Sequence, residues 1–519
     1  TGSPSITFSN DTDTGLIRLG SGSIGFVSNS TQIANIDGNG LTVSNKDTTI
    51  NSITVGKGAN SVAGNTVLGE TALDAGVTGG NNTAIGKLTL TDLTSAVNNT
   101  AVGLQAGKEV TTGASNTLIG VNAGFNLTSG FQNVAIGVSS LDACETGGSN
   151  VAIGINALGS NTVSNNVAVG TSALALNTSG AQNTAVGTLS LDANTTANNN
   201  TAVGYEALGA NTTGAENTAV GALSLDANTT GTPNTAIGYN SLSENTTGGS
   251  NTALGKSALQ KNTTANHNTA VGNNCLLENT TGTNNTAVAS LALDANTTGT
   301  DNTAVGRSAL SANTTGQFNC AIGSLALDSN TTADNNTAVG YGSLGLNTTG
   351  TRNVAIGNFA ADDNTTGNDI TAIGYNCCQA NTTGTQNTVL GSNALKLNTT
   401  ASNNTAIGYK ALEVNTTGIK NVAVGSLTLD ANTTGDFNIA VGHSALGVNT
   451  TGDSNVAIGQ NALDQNTTAS NNTAVGFDAL KLNTTGADNT AVGYNSLDAN
   501  TTGTLNTAVG RFSLSGNTT

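Results

Sequence analysis

Tryptophan and methionine are absent from this chain of 519 residues, and proline occurs only twice. Aromatic residues make up 3% and apolar residues 36% of the chain, too little bulk for a large globular core of ordinary kind. Charged residues account for 9%, with 14 basic against 31 acidic, so the net charge is −17. That balance argues against nucleic acid or an anionic membrane as a partner. No apolar run approaches the length of a transmembrane helix, and no signal peptide is evident, so membrane insertion is not expected. Two histidines, His267 and His443, stand far apart with no cysteine or carboxylate at zinc-ligand spacing. The five cysteines, Cys144, Cys275, Cys320, Cys377 and Cys378, are scattered, and no disulfide framework follows from them. No window repeats apolar residues at helical spacing, so helices are not expected either.

What is present is a phrase of seventeen residues. It reads NTAVGYEALGANTTGAE from Asn200, begins again at Asn217 and at Asn234, and recurs to Asn506. Earlier starts fall at Asn65, Asn82, Asn99, Asn116, Asn133 and Asn150, and one copy, 150–165, is a residue short. With the opening Asn as position 0, position 4 is Gly in 26 of 27 copies, the exception being Ala289. Position 8 is Leu except at Gly107, Gly124, Ala361 and Cys378. From Asn161 onward position 11 is always Asn, most often followed by Thr-Thr. A fixed period near twenty means a repeat architecture, in which each coil contacts only its neighbours and a thin core suffices.

Short β-branched runs bounded by Gly and Asn predict an all-β fold: a parallel β-solenoid, or β-roll, of 17-residue coils with strands of four or five residues. Identical positions then stack about 4.8 Å apart, giving a shaft of roughly 125 Å. Val or Ile at position 3 (Val203) and Leu at position 8 (Leu208, Leu225) are expected to form apolar columns inside. Gly204 and its equivalents supply a corner. Asn200 and Asn217 at position 0, with Asn211 and Asn228 at position 11, are expected to form amide ladders. Stacking also accounts for the scarcity of charge, since a charge at a fixed position meets its own copy one rung away. Asp at position 9 never occupies two successive coils, and Glu413 followed by Asp430 is the single acidic adjacency there.

In chain order, residues 1–47 lie outside the repeat and read as a small N-terminal β segment. Its strands, SITF, GLIRL, SIGFV, TQIANI and GLTV, are separated by DTDTG, GSG and DGNG turns. Residues 48–64 are a lead-in, 65–160 are irregular early coils, and 161–519 form the regular shaft. The chain opens on TGSPS without Met and stops in mid-phrase at Asn517-Thr-Thr, so the gene's product is expected to continue.

The first segment resembles one found in tail-fibre proteins of bacteriophages and fibre-like proteins of large viruses. Pro4, Ser5, Phe8, Asp11, Thr12, Asp13, Thr14, Gly15, Ile24, Gly25, Phe26, Ile36, Asp37 and Gly40 carry that resemblance. The phrases NSITVG, NTAVG and NVAIG are similar to those of trimeric autotransporter adhesin heads, which are parallel β-rolls. The resemblance implies an intertwined or side-by-side homotrimer, extracellular, on a virion tail or cell-surface appendage. Its partners would be further copies of itself, other virion or appendage proteins at both ends, and host-surface glycans.

No nucleophile–base pair, metal-ligand set or phosphate loop is visible, so neither an enzyme nor a cofactor is expected. All six tyrosines, Tyr205, Tyr239, Tyr341, Tyr375, Tyr409 and Tyr494, occupy position 5. They read as a surface column beside the Gly corner, a carbohydrate-binding stripe, or a packing seam against another chain. Asn-Thr-Thr is a glycosylation acceptor in form, in conflict with an inward amide ladder. The expected function is a structural fibre that holds an attachment tip, with weak multivalent contacts along it. The alternatives are a bacterial adhesin of autotransporter type, and an ice-binding or free-filament solenoid displaying threonines at positions 1, 12 and 13.

Overall fold

A computed structural model describes residues 6–8, 11–20, 23–28, 31–37, 40–43 and 48–519. The chain is all-β, a parallel solenoid of about 26 turns preceded by a small sheet. It divides into two compact units, Thr1–Pro233 and Asn234–Thr519.

The first unit opens with five antiparallel strands in sequential order: β1 (Ile6–Phe8), β2 (Asp11–Gly20), β3 (Ser23–Ser28), β4 (Thr31–Asp37) and β5 (Gly40–Val43). The five expected strands are all there. The DTDTG stretch, read as a turn, instead forms the first half of β2, whose Gly15 pairs with Thr7 and Val27. Alternation and register place Ile17, Gly25 and Val27 on one face, with Ile17 and Val27 buried, and Ile24, Phe26 and Ile36 on the other, where all three are exposed. Of the residues carrying the fibre resemblance, Pro4 and Ser5 lie outside the described residues.

The lead-in is a hairpin, β6 (Thr48–Ile50) and β7 (Ile53–Gly56). Strand β7 pairs antiparallel with β8 (Thr66–Gly69), and from β8 to β9 (Thr83–Ile85) the pairing turns parallel. Every later coil contributes one strand, at phrase positions 1–3, through β16 (Thr201–Val203) and β17 (Thr218–Val220). The pairing is in register, Thr201 with Thr218, Ala202 with Ala219 and Val203 with Val220. The second unit repeats this from β18 (Thr235–Ile237) to β34 (Thr507–Val509).

These strands have three residues, shorter than expected, because the Gly at position 4 ends them. Gly204 has φ 140°, and a Cβ on it would lie 2.4 Å from the carbonyl oxygen of Gly221 one coil on. Backbone conformation and close approach therefore both call for glycine. Beyond the corner the chain leaves the β region without losing its inter-coil hydrogen bonds. Positions 6 and 8 take left-handed φ, 53° at Glu206 and 54° at Leu208. The Leu208 N–H still donates to Ser224 of the next coil at 3.0 Å, and the Glu206 N–H to Thr188 of the previous one at 3.1 Å. A left-handed leucine costs about 1–2 kcal/mol, and this arrangement offsets it with a backbone bond and a fully buried side chain.

The interior differs from expectation in one column. Leu208 and Leu225 are fully buried, but Val203 is only half-buried, and the inward strand residue is Ala202 at position 2. A three-residue strand with its middle side chain inward must turn the first and third outward. The small Ala leaves room for Leu at position 8. Where position 2 enlarges to Leu118, position 8 shrinks to Gly107 and Gly124: a Cβ on those glycines would stand 2.5 and 2.8 Å from the Leu118 methyl groups.

Candidate functional site

Inside the coils around Asn200 the asparagine amides are hydrogen-bonded from rung to rung. At position 0, the Asn200 side-chain oxygen accepts the Asn217 backbone N–H at 2.9 Å, and its Nδ2 donates to the Gly214 carbonyl at 3.0 Å. At position 11, Asn211 Nδ2 donates to the same carbonyl at 2.9 Å and to Asn194 Oδ1 at 3.2 Å. Asn228 Nδ2 continues the ladder to Asn211 Oδ1 at 2.8 Å. All five of these asparagines are fully buried. The expected ladders are therefore present, and the ladder asparagines are not displayed as acceptors for sugar. The two are joined at the position-14 carbonyl, a link that residue types alone do not reveal.

The cysteines take part in the same packing. Cys144, Cys275, Cys377 and Cys378 are buried and Cys320 half-buried, all as free thiols. Burial pushes Cys275 and Cys377 up to about 12, and Cys378 higher still, so these thiols stay protonated and unreactive. Among the described residues, no three His, Cys, Asp or Glu gather as metal ligands would.

The surface carries an acidic column, an aromatic column and the outer face of the parallel sheet. The acidic one is position 9, where burial raises Asp142, Asp192, Asp294, Asp362 and Asp430 above the usual carboxylate range. Asp362 reaches about 6, helped by neighbouring Asp363. After burial, Glu413 one rung away also raises Asp430, the adjacency noted in the sequence. The aromatic column is position 5. Tyr205, Tyr239, Tyr341, Tyr375, Tyr409 and Tyr494 are all 44–53% exposed beside the glycine corner. They are mostly isolated from one another. Two meet phenylalanines, Tyr494 stacked on Phe477 and Tyr341 edge-on to Phe359, each with ring centres 5.2 Å apart.

The third is the outer face of the parallel sheet, missed in the sequence because position 3 was assigned to the core. In the second unit it alternates Thr, Val, Ile or Cys at position 1 with Val, Ile or Leu at position 3. Ile237, Leu254, Ile322, Ile356, Leu390, Val441 and Val492 are each 36–47% exposed on it. The threonines do not combine into one broad face. Position 1 lies on this sheet, whereas Thr212 at position 12 turns its hydroxyl to the Thr229 carbonyl of the next coil at 3.0 Å.

No family model, curated protein or solved structure matches the chain.

Proposed function

We propose that this chain is the shaft of an extracellular fibre, on a virion tail or a surface appendage, holding an attachment tip at a distance. The observation that carries this reading is the coil-to-coil hydrogen bonding that recurs along each unit. Backbone groups and buried asparagine side chains bond coil to coil, with Ile370 standing in the place of one position-0 Asn. Seventeen strands in the second unit span roughly 80 Å at the usual strand spacing, a length gained without any change of design from coil to coil. The resemblance of the N-terminal segment to viral tail fibres supports the virion setting, where contacts along the shaft would be weak and multivalent.

Immunogold electron microscopy on the source particles or cells tests this. Label along projections from a virion supports the reading. Label on projections from a bacterial envelope moves the assignment to an adhesin, and label confined to the cell interior overturns both.

A further inference from the structure

The outer sheet face of the second unit points to a binding surface for another copy of this same chain. Its seventeen coils offer 34 side chains at positions 1 and 3, and none carries a charge. Yet the unit has seventeen acidic and nine basic residues, all at positions 5, 6, 9, 10, 15 and 16. Stacking disfavours like charges one rung apart, yet other surface columns of this unit still admit charges and the sheet face admits none. Its exposed Val, Ile and Leu at position 3 form a contiguous apolar row, the kind of surface that marks an interaction site.

Two properties choose the occupant. First, the chain is strongly acidic, so copies meeting through the charged columns would set carboxylate against carboxylate. The uncharged sheet face is free of that repulsion, and unlike the equally uncharged Thr-Thr column at positions 12 and 13 it presents apolar side chains. Second, its side chains repeat at every rung, about 4.8 Å apart. A partner that fits every rung must carry the same axial repeat, and a second copy does so by construction. The area is sufficient: at a third to two-fifths exposure the position-3 side chains, with their position-1 neighbours, present on the order of 1,000 Å², against about 800 Å² per partner in a stable interface.

The test uses the full chain and measures mass by light scattering. Wild type is expected at a whole-number multiple of 50.9 kDa. Ile356→Asp with Leu390→Asp places two carboxylates on the face, in coils two rungs apart, on side chains that the core does not use. This pair is expected to reduce the mass to that of one chain while far-ultraviolet circular dichroism stays unchanged. Tyr375→Asp with Tyr409→Asp makes the same chemical change on the aromatic column and is expected to leave the multiple intact. A wild-type monomer, or a face variant that keeps the full multiple, overturns the proposal. So does a tyrosine variant that dissociates while the face variant does not. The shaft reading is judged separately, by the location of the label, and a monomeric solenoid would still satisfy it.

Discussion

Two stretches of the first unit, 82–149 and 161–233, wind the same backbone coil around different interiors. In the first, position 11 is Leu93, Val110, Leu127 and Cys144; in the second it is Asn161, Asn177, Asn194, Asn211 and Asn228; all nine are fully buried. Where position 11 is apolar, the position-0 amide serves two acceptors. Asn99 Nδ2 reaches the Gly113 carbonyl at 2.9 Å and Asn82 Oδ1 at 3.2 Å. Where position 11 is Asn, the position-14 carbonyl receives two amides, as Gly214 does. Cys144, last of the apolar series, stands between the two: its thiol faces the Gly147 carbonyl of its own coil at 3.6 Å, the acceptor an asparagine would take. The ladder then starts at Asn161, whose Oδ1 accepts from both Asn166 at 3.0 Å and Asn177 at 2.7 Å. A buried column can thus be greasy or polar, provided it is one or the other over several rungs.

Breaking that continuity should cost most on the apolar side. Val110→Asn inserts an amide between Leu93 and Leu127, with no ladder partner above or below, and is expected to lower local stability by about 3 kcal/mol. Native-state hydrogen exchange of the coils around it measures the loss. The reverse exchange, Asn194→Leu, leaves Asn177 Oδ1 without the 2.7 Å bond it now accepts. It should cost about 2 kcal/mol by the same measurement, since the new leucine returns some apolar burial. Gly124→Leu restores the usual residue at position 8 but drives it into Leu118, for a loss of about 1.5 kcal/mol. Adding Leu118→Ala should recover most of it, and a double-mutant cycle measures that coupling.

The smallest effect is one of pH. Asp142 lies in the apolar stretch and Asp192 in the amide stretch, and burial raises both. A raised carboxyl pKa favours the folded state while the group is protonated, and that contribution is lost as pH rises through the folded value. For Asp362 the window runs from the ordinary 3.8 to about 6. Mild acidification across it should raise the melting temperature, and Asp142→Asn and Asp192→Asn should each flatten the slope by a similar amount. Thermal melts at several pH values decide this.

Much of the coil was legible because stacking multiplies a local rule. The period, the glycine corner, the inward leucine and the asparagine ladders all follow from residues that recur at fixed spacing. The strand face was misread at Val203, since β-branched bulk suggests core, whereas a three-residue strand buries only its middle residue, here the small Ala202. The glycines at 107 and 124 looked like lapses in the phrase until Leu118 supplied their reason. Such trades between coils depend on shape rather than residue class. The apolar half of the outer face is hidden for the same cause, because β-branched bulk at position 3 suggests core, whereas the position-1 threonines read as displayed.

The direction of the hydrogen bonds carries a mechanical corollary. Thr201 N–H to the Asn217 carbonyl, Leu208 N–H to Ser224 and Asn228 Nδ2 to Asn211 all run from coil to coil, along the stack. Compression or sideways load is shared among all of them. A pull on the end of the chain instead loads the last rung, which peels away before the next, each releasing about 55 Å of slack chain. Such a coil stack suits a strut that keeps two bodies apart better than a rope that must hold them together.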